Sequence, residues 1–196
     1  MITLGIHDGH NSGAALFINA KLICCISEER ITRNKNEYGF PINAIKFCLK
    51  QGHIKKNQVE HIVVSTKKLP PKYFLVKRNT NFNIEDYHRE QNLYWYPKIY
   101  KNKKIKYLNI FKDKKVPLSK LYYNFSKIKN EDDYNGMRKS RMNFISNFFS
   151  VNKKNVFFYD HHECHAYYGF FGSPIFKKKT CVVTLDGGGD NTNATI

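Results

Sequence analysis

Short apolar runs separated by polar turns dominate the first 27 residues. Alternation of apolar and polar positions predicts strands over 2–7, 14–18 and 22–27. The stretch 8–13 holds Asp, Asn, Ser and Gly, which favour turns, and 19–21 provides a second break. Strands joined by such short connections predict an antiparallel meander.

A helix and a fourth strand are predicted next. Pro41 stands where a first helical turn would begin, and Gly52 stands where the helix would end. The apolar residues between them recur at roughly helical spacing: Ile42, Ile45, Phe47 and Leu49. Residues 59–65 then predict a strand. Three strands, a helix and a strand are typical of an α/β fold.

The stretch 67–150 differs in composition from what precedes it. It is rich in lysine, asparagine and tyrosine, and prolines interrupt any long periodicity. We expect a partly helical insertion here rather than an independent domain. No chemistry is assigned to it.

Regular patterning returns near residue 155. A strand over 155–159, a helix over 161–171 and a strand over 180–185 are predicted, and the last runs into a glycine-rich turn and a partner strand. A lone hairpin is marginally stable, so we expect the domain to continue past Ile196. The chain is therefore divided into a core of 1–66 and 151–196, and an insertion of 67–150.

Composition narrows the class of protein. A hydrophobic share of 41% and an aromatic share of 15% exclude a disordered chain. The five cysteines are odd in number and lack a CxxC spacing, which predicts reduced, buried thiols rather than disulfides or a thiolate zinc site. Without a signal-peptide pattern or a long apolar stretch, we expect a cytoplasmic protein with no membrane partner.

The formal net charge of +17 raises the question of a nucleic-acid partner. The excess is mostly lysine spread from 46 to 179, without an RNA-binding aromatic signature. A solvated basic surface is the preferred interpretation, and a nucleic-acid partner is not expected.

Two histidines and a carboxylate carry the strongest chemical signal. His161 and His165 are four apart, so on a helix both rings lie on one face and can bind one metal ion. Asp186 ends an apolar strand and precedes three glycines, which let backbone amides approach phosphate oxygens. Alone, each motif is more often a surface histidine pair or a simple turn. Together they suit iron(II) or zinc.

The first turn and the segment after the third strand are weaker candidates. Asp8 and His10 offer a carboxylate and a possible general base, although ordinary turn chemistry explains them equally well. The cations of 28–35 can clamp phosphate oxygens or simply face solvent.

The order of these motifs resembles the N-terminus of nodulation-type O-carbamoyltransferases. The likeness covers roughly the first 66 and the last 40 residues. Its segments are Leu4-Gly5-Ile6, His10-Asn11-Ser12, Ala14-Ala15-Leu16, Glu28-Glu29-Arg30 with Arg33 and Lys35, Gly39-Phe40-Pro41, His161-His162 with His165-Ala166, Ser173-Pro174 and Leu185-Asp186-Gly187.

The resemblance implies an incomplete domain of the actin-like, ribonuclease-H-like ATPase superfamily. Carbamoyl phosphate and ATP would give carbamoyl adenylate in a separate C-terminal domain. The domain represented here would then transfer the carbamoyl group to a hydroxyl of a small molecule or glycan.

The resemblance also implies roles for individual residues. His161, His165 and Asp186 would hold iron(II), with zinc as the alternative metal. His10 would be the base, and Asp8 would line the acceptor pocket. The nucleotide would meet Lys35 through its phosphate and lie beside Gly187, Gly188 and Gly189.

The family's domain would supply a further carboxylate ligand beyond Ile196, so we expect no turnover from this chain alone. The absent domains could lie on a neighbouring chain. Two alternatives remain open: a protein like the tRNA threonylcarbamoyl-transfer enzymes, and a non-enzymatic remnant of a disrupted gene.

Overall fold

A five-stranded mixed sheet organises the chain in the computed structural model, which describes residues 1–69, 76–77, 80–115, 122–124, 133–175 and 179–196. The strands run in the order β3-β2-β1-β4-β5. Their bounds are β1 Ile2–His7, β2 Gly13–Ile18, β3 Lys21–Ser27, β4 His61–Val64 and β5 Val156–Phe158. The meander β1-β2-β3 is antiparallel, whereas β4 and β5 run parallel to β1. The predicted α/β class is confirmed.

Helices cover one face of this sheet. A short helix α1, Glu28–Thr32, follows β3, and α2, Ile42–Gln51, buries Ala44, Ile45, Cys48 and Leu49. Phe47, expected on the apolar face, lies on the outer side of α2 and is partly exposed. The buried residues of β1, β2 and β4 in the same hydrophobic core are Leu4, Ile6, Ala14, Leu16, Ile62 and Val64.

A buried carboxylate starts α2. Pro41 provides no side-chain cap for the helix. Instead, Glu28 reaches the free amides, accepting from Asn43 N at 3.1 Å and Ala44 N at 2.7 Å. An anion at a helix N-terminus satisfies orphan N–H groups and complements the helix dipole. Glu28 therefore has a structural role at the start of α2, which the sequence analysis did not predict.

The described part of 67–150 is largely helical. It contains α3 Ile84–Glu90, a π-helical turn Gln91–Trp95, α4 Tyr96–Tyr100, α5 Tyr107–Ile110 and α6 Tyr134–Phe149. A small separate hydrophobic cluster consists of Val76, Tyr94, Tyr107, Ile110 and Phe111. By contrast, α6 places Met137, Ile145 and Phe149 in the main core.

A helix and a hairpin complete the chain. Helix α7 spans His161–Phe171, and β6 Thr184–Gly189 pairs with β7 Thr192–Thr195. The glycine run predicted as a turn belongs to β6, whose pairing register shifts between Leu185 and Gly189. The tight turn is made instead by Asp190 and Asn191, both at positive φ. Among the described helices, none has the length and apolar character needed to cross a bilayer.

The cysteines differ in accessibility, in contrast to the expectation that all would be buried. Cys25 and Cys181 are exposed, whereas Cys48 is buried, and all five thiols are free. Burial raises the pKa of Cys48 to about 12 and that of Cys164 to about 11.

These pKa values predict selective alkylation. At pH 8, iodoacetamide should label Cys25 and Cys181 first. At that pH the ionised, reactive fraction of the Cys48 thiol is on the order of one in ten thousand. Peptide mapping by mass spectrometry measures this. Equal labelling of Cys48 in the folded protein would contradict the burial.

Candidate metal centre

A capping box starts α7 at the first histidine. The Asp160 side chain accepts from His162 N at 2.9 Å, and Glu163 Oε2 accepts from Asp160 N at 3.0 Å. This reciprocal arrangement satisfies free N–H groups and defines the first turn. His161 and His165 consequently lie one turn apart on the same face of the helix.

Three side-chain atoms converge beside this turn. His161 Nε2 is 2.7 Å from Asp186 Oδ2 and 3.0 Å from His165 Nε2, and His165 Nε2 is 3.6 Å from the same oxygen. Ligands about 2.1 Å from a metal lie about 3.0 Å apart at adjacent octahedral positions and about 3.4 Å apart in a tetrahedron. The three atoms therefore have the separations of one face of a metal's coordination shell.

The cluster is open on one side. The side chains of His161, Asp186 and His165 are 17%, 36% and 52% exposed, so further ligands can approach from solvent. The hydrogen bond with His161 is the main cause that lowers the pKa of Asp186, and the amide of Gly187 adds to it at 2.6 Å. A carboxylate that stays ionised is the form that binds cations.

Gly189 packs directly against the His161 ring. A Cβ at this position would overlap the imidazole carbons and lie 2.8 Å from the Cβ of His161. A Cβ at Gly187 would meet nothing within 4 Å, and Gly188 has a φ of +150°. Glycine is thus needed at 189 to leave room for a histidine. That these glycines also lie beside a nucleotide remains a prediction.

Asp190 ties the hairpin to two other segments. Its carboxylate accepts from Thr66 Oγ1 at 2.9 Å, from Lys67 N at 2.9 Å, from Lys68 N, and from His161 N at 2.7 Å. The side chain is 5% exposed. The residues after β4 and the start of α7 are therefore held by one buried carboxylate.

His162, for which the sequence analysis predicted no role, anchors α7 to the β6–β7 hairpin. Its ring is buried, Nδ1 accepts from Thr184 Oγ1 at 2.6 Å, and Nε2 donates to the carbonyl of Thr192 at 2.9 Å. Its neighbour His161 points instead to the metal cluster. Two adjacent histidines thus have different surroundings, since His162 packs against the hairpin while His161 belongs to the candidate metal cluster, because consecutive helical residues face different sides.

Asp8 lies inside the protein rather than at a surface where an acceptor could bind. Both of its oxygens pair with Arg141, at 2.7 Å to Nε and 2.6 Å to a terminal nitrogen, and Tyr123 donates to it at 2.5 Å. Asp8 and Arg141 are both 0% exposed. Burial is the main cause that raises the pKa of Tyr123 well above its ordinary value.

His7 connects the first turn to the cluster and was missed by sequence reasoning. Its ring centroid is 5.9 Å from that of His161, Nε2 donates to the carbonyl of His10 at 3.2 Å, and Nδ1 accepts from Ser65 at 2.8 Å. Burial is the main cause that lowers the pKa of His7, which favours the neutral ring. His7 and Ser65 also line an open groove of about 570 Å³ on the sheet.

The remaining predicted residues lie at the surface. His10 Nε2 is 3.2 Å from Asn36 Oδ1, and the Lys35 side chain is 77% exposed and 3.7 Å from Glu29. The structure therefore brings His161, His165 and Asp186 together, while His10 and Lys35 have partners of their own. Their predicted roles depend on ligands and remain predictions.

Comparisons with known proteins place this chain in a family. Residues 2–195 match the protein family described as "Carbamoyltransferase N-terminus". An uncharacterized protein of Methanocaldococcus jannaschii is 36% identical over 61 residues, which is 31% of this chain and 12% of that protein.

Two further relatives match over similarly short stretches. One from Synechocystis sp. is 37% identical over 60 residues, covering 31% of this chain and 10% of the relative. A second Methanocaldococcus jannaschii protein is 53% identical over 38 residues, covering 19% of this chain and 6% of the relative. The chain thus matches about a tenth of the length of these relatives.

Proposed function

This chain belongs to the carbamoyltransferase family, and we propose that it carries the metal-dependent transfer site of a nodulation-type O-carbamoyltransferase. The carbamoyl group would pass from carbamoyl adenylate to a hydroxyl of a small molecule or glycan, with ATP and carbamoyl phosphate as co-substrates. The strand order β3-β2-β1-β4-β5 supports the proposed actin-like, ribonuclease-H-like superfamily.

The convergence of His161, His165 and Asp186 carries the proposal. Two imidazoles and one carboxylate with open positions suit iron(II), and zinc accepts the same donors. Their ligand atoms lie within 4.8 Å of one another. A bound ion would supply Lewis-acid polarisation of the carbamoyl group.

The proposed transfer needs a base near the acceptor. The acceptor oxygen forms a bond to the carbamoyl carbon, the bond from that carbon to the adenylate phosphate oxygen breaks, and the acceptor proton moves to a base. His10 is proposed for this role, because its backbone carbonyl accepts a hydrogen bond from His7, whose ring centroid lies 5.9 Å from that of His161. Lys35 and Gly187–Gly189 are proposed to meet the nucleotide, and Asp8 supports this turn from inside.

Formation of carbamoyl adenylate is proposed to occur in a separate domain. These 196 residues alone are then expected not to turn over. ATP-dependent carbamoylation of an acceptor by the purified chain, without a partner, would contradict that division.

Metal titration tests the site itself. The chain should bind one Co(II), used as a spectroscopic substitute for iron(II) or zinc. Each of His161→Ala, His165→Ala and Asp186→Ala should lower the affinity on the order of a hundredfold or more, since a ligand is lost. Calorimetry and the Co(II) visible spectrum measure the affinity.

His88→Ala is the matched control, because His88 is an exposed histidine on α3. Its affinity for Co(II) should equal that of the unaltered chain. Tight binding that persists in His161→Ala and Asp186→Ala would rule out this cluster as the metal centre.

A further inference from the structure

The segment 66–68, which follows β4, is held from two sides by buried charged side chains. Asp190 accepts from the hydroxyl of Thr66 and from the amides of Lys67 and Lys68. Arg141 donates to the carbonyl of Thr66 at 3.0 Å and approaches that of Lys67 at 3.5 Å. The N–H groups therefore meet a carboxylate while the C=O groups meet a guanidinium, which leaves this segment little freedom.

The same two side chains connect the segment to the rest of the site. Arg141 is paired with Asp8 at the end of β1. On the other side, Asp190 accepts from the amide of His161 at 2.7 Å. A continuous path of charge-assisted hydrogen bonds thus runs from β1, through 66–68, to the first histidine of the cluster.

Asp190 also shares a strand-turn unit with a candidate ligand. Asp186 lies four residues earlier on the same hairpin, and His161 is the first residue of α7. The hydrogen bond between Asp190 and the His161 amide therefore joins the hairpin to α7. These two elements must keep their relative position for the His161 ring to meet the Asp186 carboxylate. Misplacement of a ligand by a fraction of an ångström is enough to weaken a metal site.

We propose that Asp190 is the positioning residue of this metal centre. Its carboxylate accepts hydrogen bonds from both the His161 amide and the 66–68 segment, and so fixes their relative positions. It contacts no ligand-donor atom and acts through the backbone of His161. The inference rests on the proposed metal site but concerns a different residue. Outer-shell partners of metal ligands typically change affinity 10–100-fold when altered.

The test compares Asp190 with Asp113, an aspartate outside the candidate site. Asp190→Asn keeps the shape but replaces one acceptor oxygen with a donor, so it cannot accept all four hydrogen bonds. We expect the affinity for Co(II) to fall on the order of 10–100-fold, with a changed visible spectrum at saturation. Asp113→Asn makes the same chemical change at a side chain that is 54% exposed and paired with Arg89 outside the cluster, so its affinity should stay within about threefold.

A second readout needs no metal. The amide proton of His161 should resonate downfield in the unaltered chain, because it donates to a carboxylate, and should move upfield in Asp190→Asn but not in Asp113→Asn. Two-dimensional NMR of the metal-free chain measures this shift. An unchanged His161 amide in Asp190→Asn would overturn the proposed link.

The outcomes separate the two proposals. If the unaltered chain does not bind Co(II), the proposed metal function fails, while the NMR comparison still tests the contact between Asp190 and His161. If the chain binds Co(II) and Asp190→Asn binds equally well, the positioning role is overturned and the metal centre stands.

If Asp190→Asn does not fold, Thr66→Val tests the positioning role of Asp190 instead. It removes one of the four donors to Asp190 and preserves side-chain shape. A loss of affinity for Co(II) of about three- to tenfold is expected, since part of the clamp remains. An unchanged affinity in Thr66→Val would overturn the proposal.

Discussion

Alanine at position 189 should abolish metal binding while the fold persists. A Cβ there occupies the place of the His161 imidazole, so the ring must leave the position from which it reaches Asp186. Rotation of the His161 ring toward solvent relieves the overlap with its carbons, and a local shift of the hairpin away from α7 relieves the 2.8 Å contact with the His161 Cβ. We expect Gly189→Ala to lower the affinity for Co(II) on the order of a hundredfold or more, as loss of a ligand does.

Gly187→Ala is the matched control, in the same strand and with the same chemical change. Its added methyl group meets nothing within 4 Å, and its backbone is not in the left-handed region. Calorimetry with Co(II), together with circular dichroism to verify the fold, compares the two variants. Equal affinities for Gly189→Ala and Gly187→Ala would show that His161 is not a ligand in the observed position.

Replacing Arg141 with methionine should be the most destabilising of these substitutions. It leaves the Asp8 carboxylate buried without its cation and frees the carbonyl of Thr66. Breaking a buried ion pair by removing one partner costs about 3–5 kcal/mol. Because the free energy of unfolding of a domain is only about 5–15 kcal/mol, this substitution removes a large share of it. Urea unfolding followed by fluorescence measures the free energy of unfolding.

Two comparisons make this result specific. Arg138→Met changes an exposed arginine on the same helix, and should alter the free energy of unfolding by less than about 0.5 kcal/mol. Asp8→Asn combined with Arg141→Met removes both charges and should be less destabilised than Arg141→Met alone. A double variant that is as unstable as the sum of the single variants would mean that the two side chains do not interact.

Local patterns predicted the regular elements closely. The strand Ile2–His7 and the helix His161–Phe171 have the bounds expected from alternation and from the stop at Gly172. The strand predicted over 180–185 begins instead at Thr184 and continues through the glycines to Gly189. The strand predicted over 59–65 is shorter, His61–Val64, since the residues beyond it enter the clamp between Asp190 and Arg141. Short motifs likewise pointed to carbamoyltransferases, which the match over residues 2–195 confirms at the level of the family.

Roles that depend on distant partners could not be predicted. Arg141 lies 133 residues from Asp8, in a segment whose composition favoured a solvated surface. The motif Asp186-Gly187-Gly188-Gly189-Asp190 shows this most clearly. Asp186 is a candidate ligand, a side chain at 187 would meet no neighbour, Gly189 leaves room for the His161 ring, and Asp190 holds the His161 amide. Only the structure distinguishes these positions. Sequence spacing shows which residues are close along the chain, but not which of them meet after folding.

The amino-acid pattern alone specified the alternating strands, the amphipathic helix α2 and the capped helix that places two histidines on one face, because each depends on neighbours within a few residues. The meeting of those histidines with Asp186, the burial of Asp8 by Arg141 and the need for glycine at 189 arose only when α7, the hairpin and the sheet packed together. Long-range packing sets distances between segments to within a fraction of an ångström, and local preference contains no information about them.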